Sequence, residues 1–180
     1  MSDFQPIHFV PAARQSQMSA MAVERIIAVP HEKITNENIG STNHWYLYLA
    51  TPSQTSIRVD CQPSHTVPST VIRGGSKANL VVSESASETE TDAQEKFHLD
   101  VAAGLTMGDI LGAITRNGRH KYEFDENGVG CRFWTTDLID LLYQHQIATD
   151  ATQVARAKAG ILKLWPDQTP LALDQGAYYS

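Results

Sequence analysis

The chain has little sulfur, a deficit of positive charge and no long apolar run, and each shortage removes a class of function. Two cysteines, Cys61 and Cys131, among 180 residues are too few for a disulfide framework, so the fold must rest on a hydrophobic core. Lys and Arg number 14 against 20 Asp and Glu, a formal net charge of −6. Those cations are scattered rather than clustered, which excludes the counterion-displacing surface a nucleic acid requires. No stretch reaches the roughly 18 apolar residues of a membrane span. The opening Met1-Ser2-Asp3-Phe4-Gln5-Pro6 lacks a basic segment followed by an apolar one. No membrane association is expected, and a cytoplasmic location is. Arg73-Gly74-Gly75-Ser76-Lys77 lacks the Gly-Lys-Ser or Gly-Lys-Thr ending of a phosphate loop. The seven histidines show no His-x-x-x-His spacing, so neither a metal nor another cofactor is expected.

What is present suits one compact domain: 42% of the residues are hydrophobic, enough for a single core. Residues 1–22, with Pro6 and Pro11, read as an irregular lead-in, residues 23–166 as the domain, and residues 167–180 as a tail. Val23 to Val29 reads as a short buried or edge strand ended by Pro30, followed by a loop from His31 to Thr42. Asn43 to Ala50 and Ser56 to Gln62 alternate as the arms of a hairpin. With the turn centred on Ser53, Trp45, Leu47, Leu49, Ile57, Val59 and Cys61 share an apolar face. His44, Tyr46 and Tyr48 then stand across from Gln62, Asp60 and Arg58. Asn79 to Ser83, Phe97 to Val101 and Arg119 to Phe124 are further strands, and the acidic run Glu84 to Glu95 is a solvated loop. Thr106 with Asp109 forms a capping-box pair opening a helix to about Arg116. Two more helices follow, one from Cys131 to near Ile147 and one from Thr149 or Asp150 towards Trp165. The expected class is α+β, a mainly antiparallel sheet of about five or six strands packed with about three helices.

Gly128-Val129-Gly130-Cys131 places a thiol on the first turn of a helix, where unpaired amides favour thiolate and can hold an oxyanion. A cysteine on an apolar helix face is also often a small buried hydrophobe. A histidine on a sheet strand, followed much later by a cysteine on the first turn of a helix packed against that sheet, has the logic of a thiol nucleophile with a base. Cys131 would be the nucleophile, His44 the base, and Asp60 or Gln62 the group orienting the imidazole. The Gly130 and Cys131 amides would be the oxyanion donors, and Trp45, Tyr46, Tyr48, Arg58, Arg132 and Trp134 would line a pocket for a small molecule or peptide.

Histidine first on an antiparallel sheet and cysteine later at a helix start resembles the circularly permuted NlpC/P60 and papain-like thiol enzymes, including the lecithin:retinol acyltransferase type. The residues that match are His44 in Asn43-His44-Trp45 and Cys131 in Gly130-Cys131-Arg132-Phe133-Trp134. The resemblance implies a permuted papain-like fold and acyl transfer through a thioester, as amidase, peptidase, thioesterase or acyltransferase. Where acyltransferases of that type carry a second histidine soon after the first, this chain offers Asp60 or Gln62, with His65 beyond. The chain also resembles small uncharacterised fungal proteins sharing Asn43-His44-Trp45, Gly104 to Leu111 and Gly130 to Trp134. Two rivals use other chemistry. One is a metal site drawn from His44, His65, His98, His120 or His145 with a cysteine. The other is an aromatic pocket that binds a small molecule without a covalent step, or a cyclase or isomerase in which His44 or Asp60 moves a proton.

Overall fold

The computed structural model describes residues 4–180; residues 1–3 of the expected lead-in lie outside them. Its elements are strands β1 (Ile7–Val10), β2 (Arg25–Asn36), β3 (Gly40–Ala50), β4 (Ser56–Pro68), β5 (Ser76–Ser85), β6 (Phe97–Asp100) and β7 (Tyr122–Phe124), with short β8 (Lys163–Leu164), β9 (Thr169–Pro170) and β10 (Ala177–Tyr178). The helices are α1 (Gln15–Ala20), α2 (Met107–Arg116), α3 (Cys131–Gln144) and α4 (Ala151–Ile161). The class is α+β. Seven strands of the main sheet follow the order β10-β7-β5-β4-β3-β2-β6, and β1 joins β5 as an eighth. That is more than the five or six strands and three helices expected.

The sequence pattern explains most of this. In the β3–β4 hairpin, Leu47 pairs with Val59, Tyr48 with Arg58 and Leu49 with Ile57, the register expected for a turn centred on Ser53. The apolar face carrying Trp45, Leu47, Leu49, Ile57, Val59 and Cys61 lies in the main core beneath the helices. Cys61 is fully buried there, and burial pushes its thiol pKa up. Helix α2 opens as expected: the Thr106 hydroxyl accepts from the Asp109 amide while the Asp109 carboxylate accepts from the Thr106 amide. Helix α4 is capped by Asp150, which accepts from the Thr152 and Gln153 amides. It crosses β6 so closely that a Cβ on Gly160 would collide with the Phe97 ring.

Four expectations need correction. The lead-in is not wholly irregular: β1 pairs in parallel with β5, and Met18 of α1 is buried in the core. A parallel partner is remote in sequence, so no local pattern reveals it. Pro30 does not end β2. The strand continues through a register shift between Pro30 and Lys33, beyond the last β2–β6 pair at Ala28; a proline fits there because its missing N–H has no ladder partner to lose. What reads as the loop to Thr42 is therefore a long β2–β3 hairpin. Similarly, the second hairpin arm does not stop at Gln62: β4 continues to Pro68 through a second irregularity. The tail carries β9 and β10, and Tyr178 docks against Tyr122 and donates to Asp137.

The acidic segment forms the expected loop, and it is docked. It covers the second face of the sheet, where Ala93, like Tyr46, packs against the buried cluster of Ile27, Val29, Tyr48 and Ala50, and Glu90 accepts from Arg58.

Candidate functional site

The hairpin register puts His44 and Asp60 on one face, and their side chains meet: His44 Nε2 lies 2.6 Å from Asp60 Oδ1. Asp60 is buried and His44 nearly so. Gln62 is not the partner; it pairs instead along β5 with Asn79. With Asp60 accepting from Nε2–H, a neutral imidazole presents Nδ1 as its acceptor.

Cys131 faces that imidazole. Burial opposes charge on His44, yet the charge and hydrogen bonding of Cys131 together with Asp60 outweigh it, and the His44 pKa is raised from 6.5 to about 10. In this structure the thiol itself points to the Asn43 carbonyl at 3.9 Å. Asn43 is buried and rigidly held. Its Nδ2 donates to the His31 and Trp165 carbonyls, and its Oδ1 accepts from the Trp165 amide. The residue before His44 thus ties the β2 irregularity to the chain after α4.

The turn before α3 is equally constrained. Asp125 Oδ1 accepts from the Asn127 and Val129 amides, and the Asp125 amide donates to the Val129 carbonyl. The Gly130 carbonyl accepts from the Tyr122 hydroxyl at 2.8 Å and the Trp134 amide at 3.2 Å. A peptide group is planar, so pinning the Val129 and Gly130 carbonyls also fixes the N–H directions of Gly130 and Cys131. Gly130 has φ +151°, which favours glycine, and a Cβ there would press on Phe124, Tyr122 and the Gln175 carbonyl.

A pocket of about 100 Å³ opens onto Cys131 and His44, walled by Asn127, Gly128 and Val129 and by Ile34 and Ile39 of the β2–β3 hairpin. Asp174 from the tail completes it. Its Oδ1 accepts from the Phe133 amide at 2.9 Å, placing a carboxylate at the positive end of α3. Its pKa is raised by burial, against the Phe133 amide and the charge and amide of Arg132. Sequence reasoning missed Asp174, Ile34 and Ile39. An aperiodic tail offers no signal for the first, and the hairpin tip was hidden by reading Pro30 as a strand end.

The residues expected to line the pocket lie elsewhere. Trp45 and Trp134 are in the main core. Tyr46 and Tyr48 lie under the acidic loop, with the Arg58 guanidinium 4.9 Å from the Tyr46 ring centroid. Arg132 is buried and donates to the Ile161, Leu171 and Ala172 carbonyls. Large aromatic and aliphatic surface wins burial in a core before it can line a small polar cleft. A larger concavity of about 620 Å³ under the Ser69–Gly75 turn, with His65 on its wall, contains neither cysteine.

Among the described residues, the group with metal-ligating geometry is His31, Glu90 and Asp92, not the histidines expected from sequence. Its members are already engaged: His31 Nδ1 with Asp92 at 2.7 Å, His31 Nε2 with the Tyr48 hydroxyl at 2.9 Å, and Glu90 with Arg58.

Among the described residues, no helix is long and apolar enough to cross a membrane. Neither a curated protein nor a solved structure matches this chain significantly. A family model does match, over residues 25–179, and it spans the hairpin, the turn and the tail that build the pocket; the chain therefore belongs to the family described as Domain of unknown function (DUF7770).

Proposed function

We propose that the protein is a thiol-dependent acyl-transfer enzyme with Cys131 as nucleophile, His44 as general base and acid, and Asp60 as the group that orients the imidazole. The observation carrying this reading is the convergence of the His44–Asp60 hydrogen bond and the Cys131 thiol at the first turn of α3. The Cys131 thiol proton rests on His44 Nδ1 before substrate arrives, because the raised pKa of His44 favours the imidazolium at neutral pH, and in the first step Sγ of the resulting thiolate attacks the carbonyl carbon of an amide or ester. The oxyanion would be held by the Cys131 and Gly130 amides. His44 then returns the proton to the departing amine or alcohol as its bond to carbon breaks, leaving a thioester. Water or another acceptor, deprotonated by His44, attacks the thioester and regenerates the thiol. The order of histidine on an antiparallel strand and cysteine at a later helix start is the arrangement of permuted NlpC/P60-type enzymes, and a reducing, cytoplasmic setting would suit a free thiol. The substrate would be a small molecule or peptide.

The test is native-state alkylation by iodoacetamide at pH 7, with peptide mapping to separate Cys131 from Cys61. Cys131 should be modified at least about tenfold faster than Cys61, and His44→Ala should remove most of that advantage. A Cys131 that reacts only after denaturation would make it a core thiol. The Sγ contact to the Asn43 carbonyl favours a second reading, in which His44 and Asp60 alone carry a proton for an isomerase; there Cys131→Ala would leave turnover intact.

A further inference from the structure

Asp174 has one oxygen too many for the cap it forms. Oδ1 is used by the Phe133 amide, while Oδ2 is buried and makes no hydrogen bond. A carboxylate oxygen withdrawn from water without a donor is costly, and such groups in folded proteins ordinarily find one. The neighbouring cation does not supply it, because the Arg132 guanidinium is spent on the carbonyls of Ile161, Leu171 and Ala172. Asp174 lines the same small pocket as Cys131 and His44. Ile34 and Ile39, which also line it, remain substantially exposed, at 57% and 39%, an apolar surface that no described residue covers.

Resting on the acyl-transfer reading above, we propose that the substrate carries a protonated amine beside the scissile carbonyl, held by Asp174, with an apolar side chain laid against Ile34 and Ile39. The class is an amide or ester of an apolar amino acid with a free amino group. An ammonium supplies both the hydrogen bond that Oδ2 lacks and the charge that a buried carboxylate requires. An anionic group in the same position would meet Asp174 at close range, and an N-acylated substrate would lose the charge and add bulk to a pocket of about 100 Å³.

The test compares leucine chloromethyl ketone, with a free amine, against its N-acetyl derivative. In either, Sγ displaces chloride from the methylene carbon, forming a thioether on Cys131 while the thiol proton remains on His44. Labelling is followed by peptide mass spectrometry, with iodoacetamide as a reporter of the thiol alone. The free-amine reagent should label Cys131 at least about tenfold faster, as expected for one charge-assisted contact. In Asp174→Asn, whose amide oxygen still accepts from the Phe133 amide, the ratio should fall towards one while the iodoacetamide rate holds. Equal labelling by the two reagents in the wild type, with iodoacetamide still reactive, overturns the amine assignment and leaves the thiol reading standing. If iodoacetamide fails as well, the thiol reading falls, and calorimetric binding of leucinamide against N-acetyl-leucinamide then decides the subsite. Preference for leucinamide, lost in Asp174→Asn, supports it; no preference overturns it.

Discussion

The sheet carries two histidine–carboxylate pairs on one face, and only one of them has somewhere to send a proton. His31 bonds Asp92 at 2.7 Å and His44 bonds Asp60 at 2.6 Å, and Tyr46 sits edge-on to both rings, at 4.3 and 4.7 Å. The difference is the third group. The second nitrogen of His31 is closed by the Tyr48 hydroxyl, a phenol whose pKa burial raises further, so both nitrogens of this buried ring are engaged, one by buried Tyr48 and one by half-exposed Asp92. Among the described residues no hydroxyl closes the second nitrogen of His44, and its ring lines an open pocket together with Cys131. A histidine–carboxylate pair alone therefore does not mark an active site; the chemistry of the third group and its access do.

Substitutions can break that contrast. The largest effect is expected from Cys131→Ala, which should lower acylation by p-nitrophenyl acetate by about 1,000-fold or more, read as loss of the acetyl adduct on intact protein. Tyr48→Phe, removing the corresponding group of the other pair, should leave the adduct unchanged. Next, Asp60→Asn should slow Cys131 alkylation about 100-fold by letting the imidazole adopt the wrong tautomer, whereas Asp92→Asn should change it less than about twofold; equal losses would erase the distinction. The His31 pair should instead show its value in stability. His31→Gln disturbs one buried and one half-buried hydrogen bond and should cost about 1–3 kcal/mol in urea unfolding.

The smallest effect is the most diagnostic of His44. Its folded pKa, raised to about 10, lies above its unfolded value near 6.5, so the folded state binds the extra proton between them. The stabilisation is fully present below about pH 6.5 and is lost as pH rises through about 10. The stability gap between wild type and His44→Gln, measured by urea midpoints, should shrink over that window. A gap independent of pH would mean that His44 is held neutral.

How much of the molecule is legible in its sequence depends on the distance over which each signal acts. The hairpin register follows from alternation and turn position, so the two strand sequences alone put His44 on one face with Asp60 and Gln62, while the choice of Asp60 as its partner is made by the folded geometry. The Thr106–Asp109 box marks α2, and the Gly128–Gly130 turn marks Cys131 at the start of α3. Pro30 misleads because proline punctuation is read locally, whereas its tolerance depends on which neighbour strand has already ended. The expected aromatic pocket fails for a different reason: Trp45 and Trp134 are claimed by the core, and Tyr46 and Tyr48 by the docked acidic loop. Asp174 carries no sequence signal, since contact with α3 is made by an irregular segment about 40 residues later, as its bond to Phe133 shows.

Arg132, the residue after Cys131, holds the carbonyls of Ile161, Leu171 and Ala172. The first turn of α3 and the incoming tail are thereby fastened as one mechanical part. A force or fluctuation that lifts the tail must also drag the Cys131 peptide, and one that spares the tail leaves that turn in place. Reorganisation around a developing charge at Cys131 would then be small, because the dipoles that meet it are anchored before the reaction begins.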